Sequence, residues 1–140
     1  MSRDVMSATR WFSPERRAWL WPVVIAVLIF SASSRSTVAG PRIPNFDKVV
    51  HFSVYGLLGT LACRAIAGRR GAWWALIVVS AYGATDEWHQ YFVPGRSTEL
   101  ADWVADTAGA AIAILMYRRW TAYRLLLERP LRGRSAKKVE

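Results

Sequence analysis

Cysteine occurs once in this chain, at Cys63. An internal disulfide is therefore excluded, and so is a zinc site built on paired cysteines. Cys63 reads as a small apolar packing residue. Histidine is nearly as scarce: only His51 and His89 are present, and neither sits in an HExxH pattern. Acids are outnumbered, with 10 Asp and Glu against 19 Lys and Arg and a formal charge of +9. The largest lack is of polar surface. Apolar blocks follow one another with only short charged joints between them, which leaves no basic groove interleaved with polar side chains. Nucleic-acid binding, the usual expectation for a basic chain, is set aside on that ground. Tryptophan, by contrast, is abundant at eight residues. Trp19, Trp21, Trp73, Trp74 and Trp120 stand at block ends, where an interfacial aromatic belt places them.

The blocks predict four helices. The first apolar run, Ala18 to Ala32, follows a basic segment, and Pro22 near its start is tolerable in a first turn. A secretory signal ending at Ser31-Ala32-Ser33-Ser34 is the competing reading of this run. Gly40, Pro41 and Pro44 break the chain, and Asn45 or Asp47 is placed to cap the next helix. The second block spans about Phe46 to Ala67, with Gly56 and Gly59 suited to close helix packing. A basic turn at Gly68–Gly71 leads to the third block, about Ala72 to Phe92, which Pro94-Gly95 ends. The fourth runs from about Glu99 to Trp120 and carries a small-residue seam at Gly109, Ala110 and Ala113. A tail with eight cations between Arg118 and Lys138 follows, expected to begin as a helix.

Four spans return both termini to one side. The N-terminal segment, the Gly68–Gly71 turn and the tail hold most of the Arg and Lys, whereas the other side holds Arg35, Arg42, Lys48 and Arg96. The positive-inside rule then places both termini in the cytoplasm. The expected fold is all-α: an integral membrane four-helix bundle. Residues 1–17 form a basic cytoplasmic segment, 18–120 the transmembrane domain and 121–140 a basic cytoplasmic tail.

This topology gathers the ionisable residues. Asp47, Lys48 and His51 open the second helix, Asp86, Glu87 and His89 close the third, and Glu99, Asp102 and Asp106 open the fourth. All fall at the outer end, with Arg96 in the turn between. At 1.5 Å per residue, Asp106 lies roughly 10 Å below Glu99. Acids at such depth usually face the bundle interior and find partners. Asp86 and Asp106 are thus expected in an enclosed site, and Glu87 and Glu99 at its rim. Asp47, His51 and Tyr55 share one helix face, as do Tyr82, Asp86 and either His89 or Gln90.

Three runs make the pattern specific. They are Asp47-Lys48-x-x-His51-Phe52-x-x-Tyr55-Gly56-x-Leu58-Gly59, Asp86-Glu87-x-His89-Gln90-x-Phe92-Val93-Pro94-Gly95-Arg96, and Asp102-x-x-x-Asp106-x-x-Gly109. Together they resemble the VanZ-like membrane proteins over about residues 20–117, and Ser33-Ser34 also fits. The resemblance implies a small multi-pass protein of the bacterial cell envelope. It also implies a link to glycopeptide (teicoplanin) resistance, though it supplies no reaction.

The residues themselves point to chemistry on a phosphate-bearing lipid or lipid-linked wall precursor. Asp86, His89, Asp106, His51 and Asp102 are the candidate catalytic groups, because a carboxylate beside histidine holds one tautomer for acid–base work. Arg96, Glu87, Asp47, Lys48, Gln90 and Tyr55 are the candidate substrate-binding groups, with Arg96 able to clamp a phosphate by its forked donors. The plain structural alternative has the acids bridged to Lys48 and Arg96, the histidines bonded to acids, and the Tyr55 and Tyr82 hydroxyls reaching acids. Two histidines among acids also suit a divalent ion. No metal signature is present, so neither a metal nor any other cofactor is assigned. The expected partners are the bilayer and phospholipid or lipid-linked head groups. A non-catalytic binder of an amphipathic envelope molecule and an ion- or proton-coupled transporter are the competing functions.

Overall fold

Each apolar block becomes one helix of 20 residues, and the joints between them become the turns. The computed structural model describes residues 14–36, 44–66, 68 and 70–128. The helices are α1 (Pro14–Ser33), α2 (Phe46–Ala65), α3 (Gly71–Gln90) and α4 (Leu100–Arg119), followed by the short α5 (Thr121–Glu128). No strand occurs among the described residues. The expected break at Gly40 and Pro41, the first segment up to residue 13 and the end of the tail lie outside them.

The helix ends follow local chemistry. Pro14 occupies the first position of α1, where its fixed φ fits and its missing N–H costs nothing. The helix therefore begins earlier than the apolar run, and Pro22 sits in its interior rather than in its first turn. Asn45 precedes α2 at φ 60°, a left-handed conformation that Asn tolerates, but its side chain makes no capping bond. Asp47 instead lies in the first turn, where its charge favours the positive end of the helix dipole. After α3, the Arg96 N–H donates to the Val93 carbonyl at 3.1 Å, with Pro94 and Gly95 between. Gly95 has φ 81°. Proline followed by a glycine of positive φ is the signature of a type II turn.

Two seams hold the bundle. Gly56 and Gly59 of α2 face Gly109 and Ala110 of α4, so the expected small residues meet one another. A Cβ on Gly59 would lie 3.0 Å from Ala110 Cα, and one on Gly109 would collide with the backbone carbonyl of Phe52. Helix α3 docks on α4 through a Ser80–Thr107 hydroxyl pair at 2.8 Å and a Trp103 indole N–H donating to the Ser80 carbonyl at 3.0 Å. Tyr82 ties α3 to α1, donating from its hydroxyl to the Ala26 carbonyl at 2.6 Å. Between these seams Ile29, Leu58, Ala75, Val79 and Ile114 are buried.

The outside is as apolar as the inside. Val27 and Phe30 of α1, Val49 of α2, Ile77 and Val78 of α3, and Ile112 and Leu115 of α4 are all exposed. Trp73 is 69% exposed. Among the described residues, one helix, Leu100–Arg119, is long and apolar enough to cross a membrane by length and composition. Arg17–Ser33 is a shorter apolar helix.

Candidate functional site

The polar residues converge because alternate helices run in opposite directions. Ser33 at the end of α1 meets Asp86 near the end of α3, so these two helices run parallel. His51 near the start of α2 meets Asp106 of α4, so that pair is parallel too. One end of the bundle therefore collects the C-termini of α1 and α3 and the N-termini of α2 and α4.

Asp106 is the most enclosed acid, with 0% exposure. Its Oδ1 pairs with His51 Nδ1 at 2.9 Å. Its Oδ2 packs beside Gly83, where an added Cβ would lie 3.1 Å away, and has no hydrogen-bond partner. Asp86 is also buried. Its Oδ2 accepts from Ser33 Oγ at 2.8 Å and from Gln90 Nε2 at 3.1 Å, while its Oδ1 has no partner. Gln90 passes the connection outward, since its Oε1 accepts from Arg96 at 2.9 Å. Gln90, rather than His89, is therefore the residue that shares the site face with Asp86.

Lys48 organises a second cluster. Its ammonium donates to Asp47 at 3.0 Å, Glu99 at 2.7 Å and Asp102 at 3.0 Å. Asp102 is buried, Asp47 and Glu99 are exposed, and Lys48 ties the start of α2 to the start of α4. Glu99 is thus a rim residue, as expected.

Glu87 is not. It is 5% exposed, and its Oε2 accepts from the Glu99 backbone N–H at 3.1 Å while its Oε1 has no partner. The rim assignment fails because α3 has neighbours on two sides. Asp86 turns toward α1, and the adjacent Glu87 turns toward the start of α4. Both faces are covered.

His89 departs further from expectation. Its ring stacks on Phe30 at 4.5 Å between centroids, and its Nε2 lies 3.0 Å from Ser34 Oγ. It is a packing contact between α3 and α1, apart from the His51–Asp106 pair and without a carboxylate partner among the described residues. The expected ion bridges are also redistributed. Asp102 takes Lys48, but neither Asp86 nor Asp106 has a lysine or arginine partner among the described residues. The hydroxyl of Tyr82 finds a backbone carbonyl instead of an acid. Tyr55, 1% exposed, lies between His51 and Tyr82 with its hydroxyl unpartnered.

A cleft of about 800 Å³ opens beside this centre, in the groove between α1 and α2. Ile25, Leu28 and Ile29 line one wall, and Val50, Val54 and Leu57 the other. At its polar end stand Asp47, His51, Asp86, Gln90, Arg96 and Asp102, with Ser33 and Tyr55. Ser33 is the site residue that composition and spacing did not single out. Its signal was its place, directly after an apolar run at the depth of the acids.

The arrangement defines an all-helical protein with a buried acid–histidine centre at one end and an apolar groove leading to it. Within that class the assignment is firm: the VanZ/LLP1 family model matches residues 5–124, and the chain belongs to that family. No curated protein and no solved structure matches the chain.

Proposed function

We propose that this chain is a membrane-embedded protein of the bacterial envelope that holds one lipid by tail and head. The observation that carries the reading is the two-faced groove between α1 and α2. Six aliphatic side chains suit an acyl or prenyl tail, and the polar end suits a head group. Arg96 stands at that end, and a phosphate-bearing head group, on a phospholipid or a lipid-linked wall precursor, is the chemistry its guanidinium recognises.

The membrane setting rests on the exposed aliphatic belt. A water-facing monomer rarely leaves contiguous apolar patches beyond a few hundred Å². Here all four long helices are apolar on their outer faces, and the alternating directions make four spans. The cations Arg17, Arg64, Arg70, Arg118, Arg119 and Arg124 belong to the end opposite the acids. By the positive-inside rule that end is cytoplasmic, together with both termini, and the polar centre faces the outer leaflet of the inner membrane. A link to glycopeptide resistance follows as a consequence for the cell, through the lipid that is held.

A second reading, catalysis on the head group, is favoured by the His51–Asp106 pair. Asp106 orients the imidazole, and His51 lines the groove. That is the geometry of a general base with its orienting carboxylate. The test separates the two. The full chain is purified in mild detergent and its retained lipids are identified by mass spectrometry. Binding predicts a retained phosphate-bearing lipid that Val54→Trp, which fills the groove, displaces. Catalysis adds a product that His51→Gln abolishes while the lipid stays bound. No retained lipid in the wild type overturns both.

A further inference from the structure

We infer that His51, Glu87 and Asp106 form a binding site for a divalent transition-metal ion of the Zn²⁺ or Mn²⁺ class. The three residues come from three different helices, α2, α3 and α4. One ligand atom from each lies within 4.8 Å of the others. Ligands held about 2.0–2.2 Å from one tetrahedral ion stand roughly 3.3–3.6 Å apart. Closure to that spacing is at most about 1.5 Å, which rotation of the three side chains can supply.

The unsatisfied oxygens point to a ligand. Glu87 Oε1 and Asp106 Oδ2 are buried without a hydrogen-bond partner, in residues 5% and 0% exposed. Leaving such a group unsatisfied costs about 1–3 kcal/mol each, and more when it is charged. No lysine or arginine among the described residues pairs with either acid. The neighbouring trio Asp47, Glu99 and Asp102 is equally close-set, yet the Lys48 ammonium already fills it. So the acidic trio carries its own cation, and the deeper acid pair, Glu87 and Asp106, has only His51 beside it.

The donor set selects the ion. One imidazole nitrogen with two carboxylates suits Zn²⁺, Mn²⁺ or Fe²⁺ better than Mg²⁺ or Ca²⁺, which favour oxygen alone. Three protein ligands leave at least one position open. His51 lies on the groove wall, so that position faces the groove. A head-group phosphate oxygen is a suitable occupant, and this last step alone rests on the lipid reading above.

The experiment uses the metal alone as its probe, so failure of the lipid reading leaves it intact. The full chain in non-ionic detergent is stripped with a chelator and titrated with Zn²⁺ by competition with a chromogenic chelator, and with Mn²⁺ by electron paramagnetic resonance. The expected result is one ion per chain. Glu87→Gln and Asp106→Asn, checked for unchanged helicity and elution volume, each weaken binding by at least about tenfold. Glu99→Gln, in the lysine-filled trio, leaves it unchanged. If the two site variants fail to fold, Zn-edge X-ray absorption of the wild type decides, with one imidazole and otherwise oxygen ligands expected. Sub-stoichiometric binding, a spectrum without imidazole, or undiminished binding in folded Glu87→Gln overturns the inference, and the buried acids are then neutralised by protons.

Discussion

Gly109 offers the sharpest test of how the fold holds the site. A methyl group there would collide with the Phe52 carbonyl and stand 2.8 and 2.9 Å from the Phe52 carbonyl carbon and Cα. Those are backbone atoms, so no rotamer change relieves the clash, and α2 and α4 must part by about 1 Å before the nearest contact is tolerable. A gap of 0.5–1 Å forfeits about a quarter to a half of each contact across the seam. Overpacking of this kind costs about 1–3 kcal/mol, and a rigid neighbour puts the cost at the upper end. Replacing glycine by alanine in a helix returns about 0.8–1.0 kcal/mol. Gly109→Ala is therefore expected to lose about 2 kcal/mol net. Gly59→Ala, at 3.0 Å from Ala110 Cα, should lose less, and Gly56→Ala, whose nearest contact is 3.3 Å, should come out near neutral. The assay is reversible unfolding in mixed micelles, followed by tryptophan fluorescence. Phe52 adjoins His51, and Asp106 lies three residues before Gly109, so the same variant should also lengthen the 2.9 Å His51–Asp106 contact. A Gly109→Ala protein as stable as the wild type would refute the seam.

Lys48→Met leaves buried Asp102 without its cation, whereas Lys48→Arg keeps a positive charge there. Because Lys48 is partly exposed, the Met variant should lose about 1–3 kcal/mol in unfolding titrations, and the Arg variant less than about 1. Ser33→Ala removes a buried donor to Asp86, so it should cost about 1–3 kcal/mol and make α1 more accessible to protease. His89→Ala should lower stability modestly through the lost Phe30 stack but leave lipid retention intact, while His51→Gln changes site chemistry without that loss of packing. A His89→Ala protein that loses its lipid would return His89 to the centre.

Much of this site was legible because of where charge breaks an apolar pattern. Asp47, Lys48 and His51, then Asp86 to Gln90, then Glu99 to Asp106 each mark one end of an apolar block. Once the blocks are helices joined by short turns, those ends must meet. The small-residue seam was legible for a related reason: Gly56, Gly59, Gly109 and Ala110 are wasted on a lipid-facing surface. What stayed hidden depends on how many neighbours a helix has. Adjacent residues on a helix point about 100° apart, so one buried stripe takes only one of Asp86 and Glu87. Helix α3 has two buried stripes, one toward α1 and one toward α4, and no periodicity count on α3 alone reveals the second. The surroundings of His89 were hidden too, since its ring meets Ser34 and Phe30 of α1 rather than an acid. Ser33 carried no period at all.

The separation of six carboxylates into an outer trio, Asp47, Glu99 and Asp102, and an inner trio, Asp86, Glu87 and Asp106, explains how one bundle end tolerates them. Repulsion between like charges would part the helix ends unless something positive sits among them. Lys48 serves the outer trio, where water also screens the charges. In the inner one, screening is weak and each bare charge costs several kcal/mol. Asp86 is eased by Ser33 and Gln90, which leaves His51 as the nearest positive or proton-bearing group for Glu87 and Asp106. One imidazole cannot neutralise two buried carboxylates. The inner trio therefore demands another positive charge, as a proton or as a metal ion. Either answer makes the centre responsive to what enters the groove, because a head-group oxygen reaching His51 meets whichever species balances those two acids.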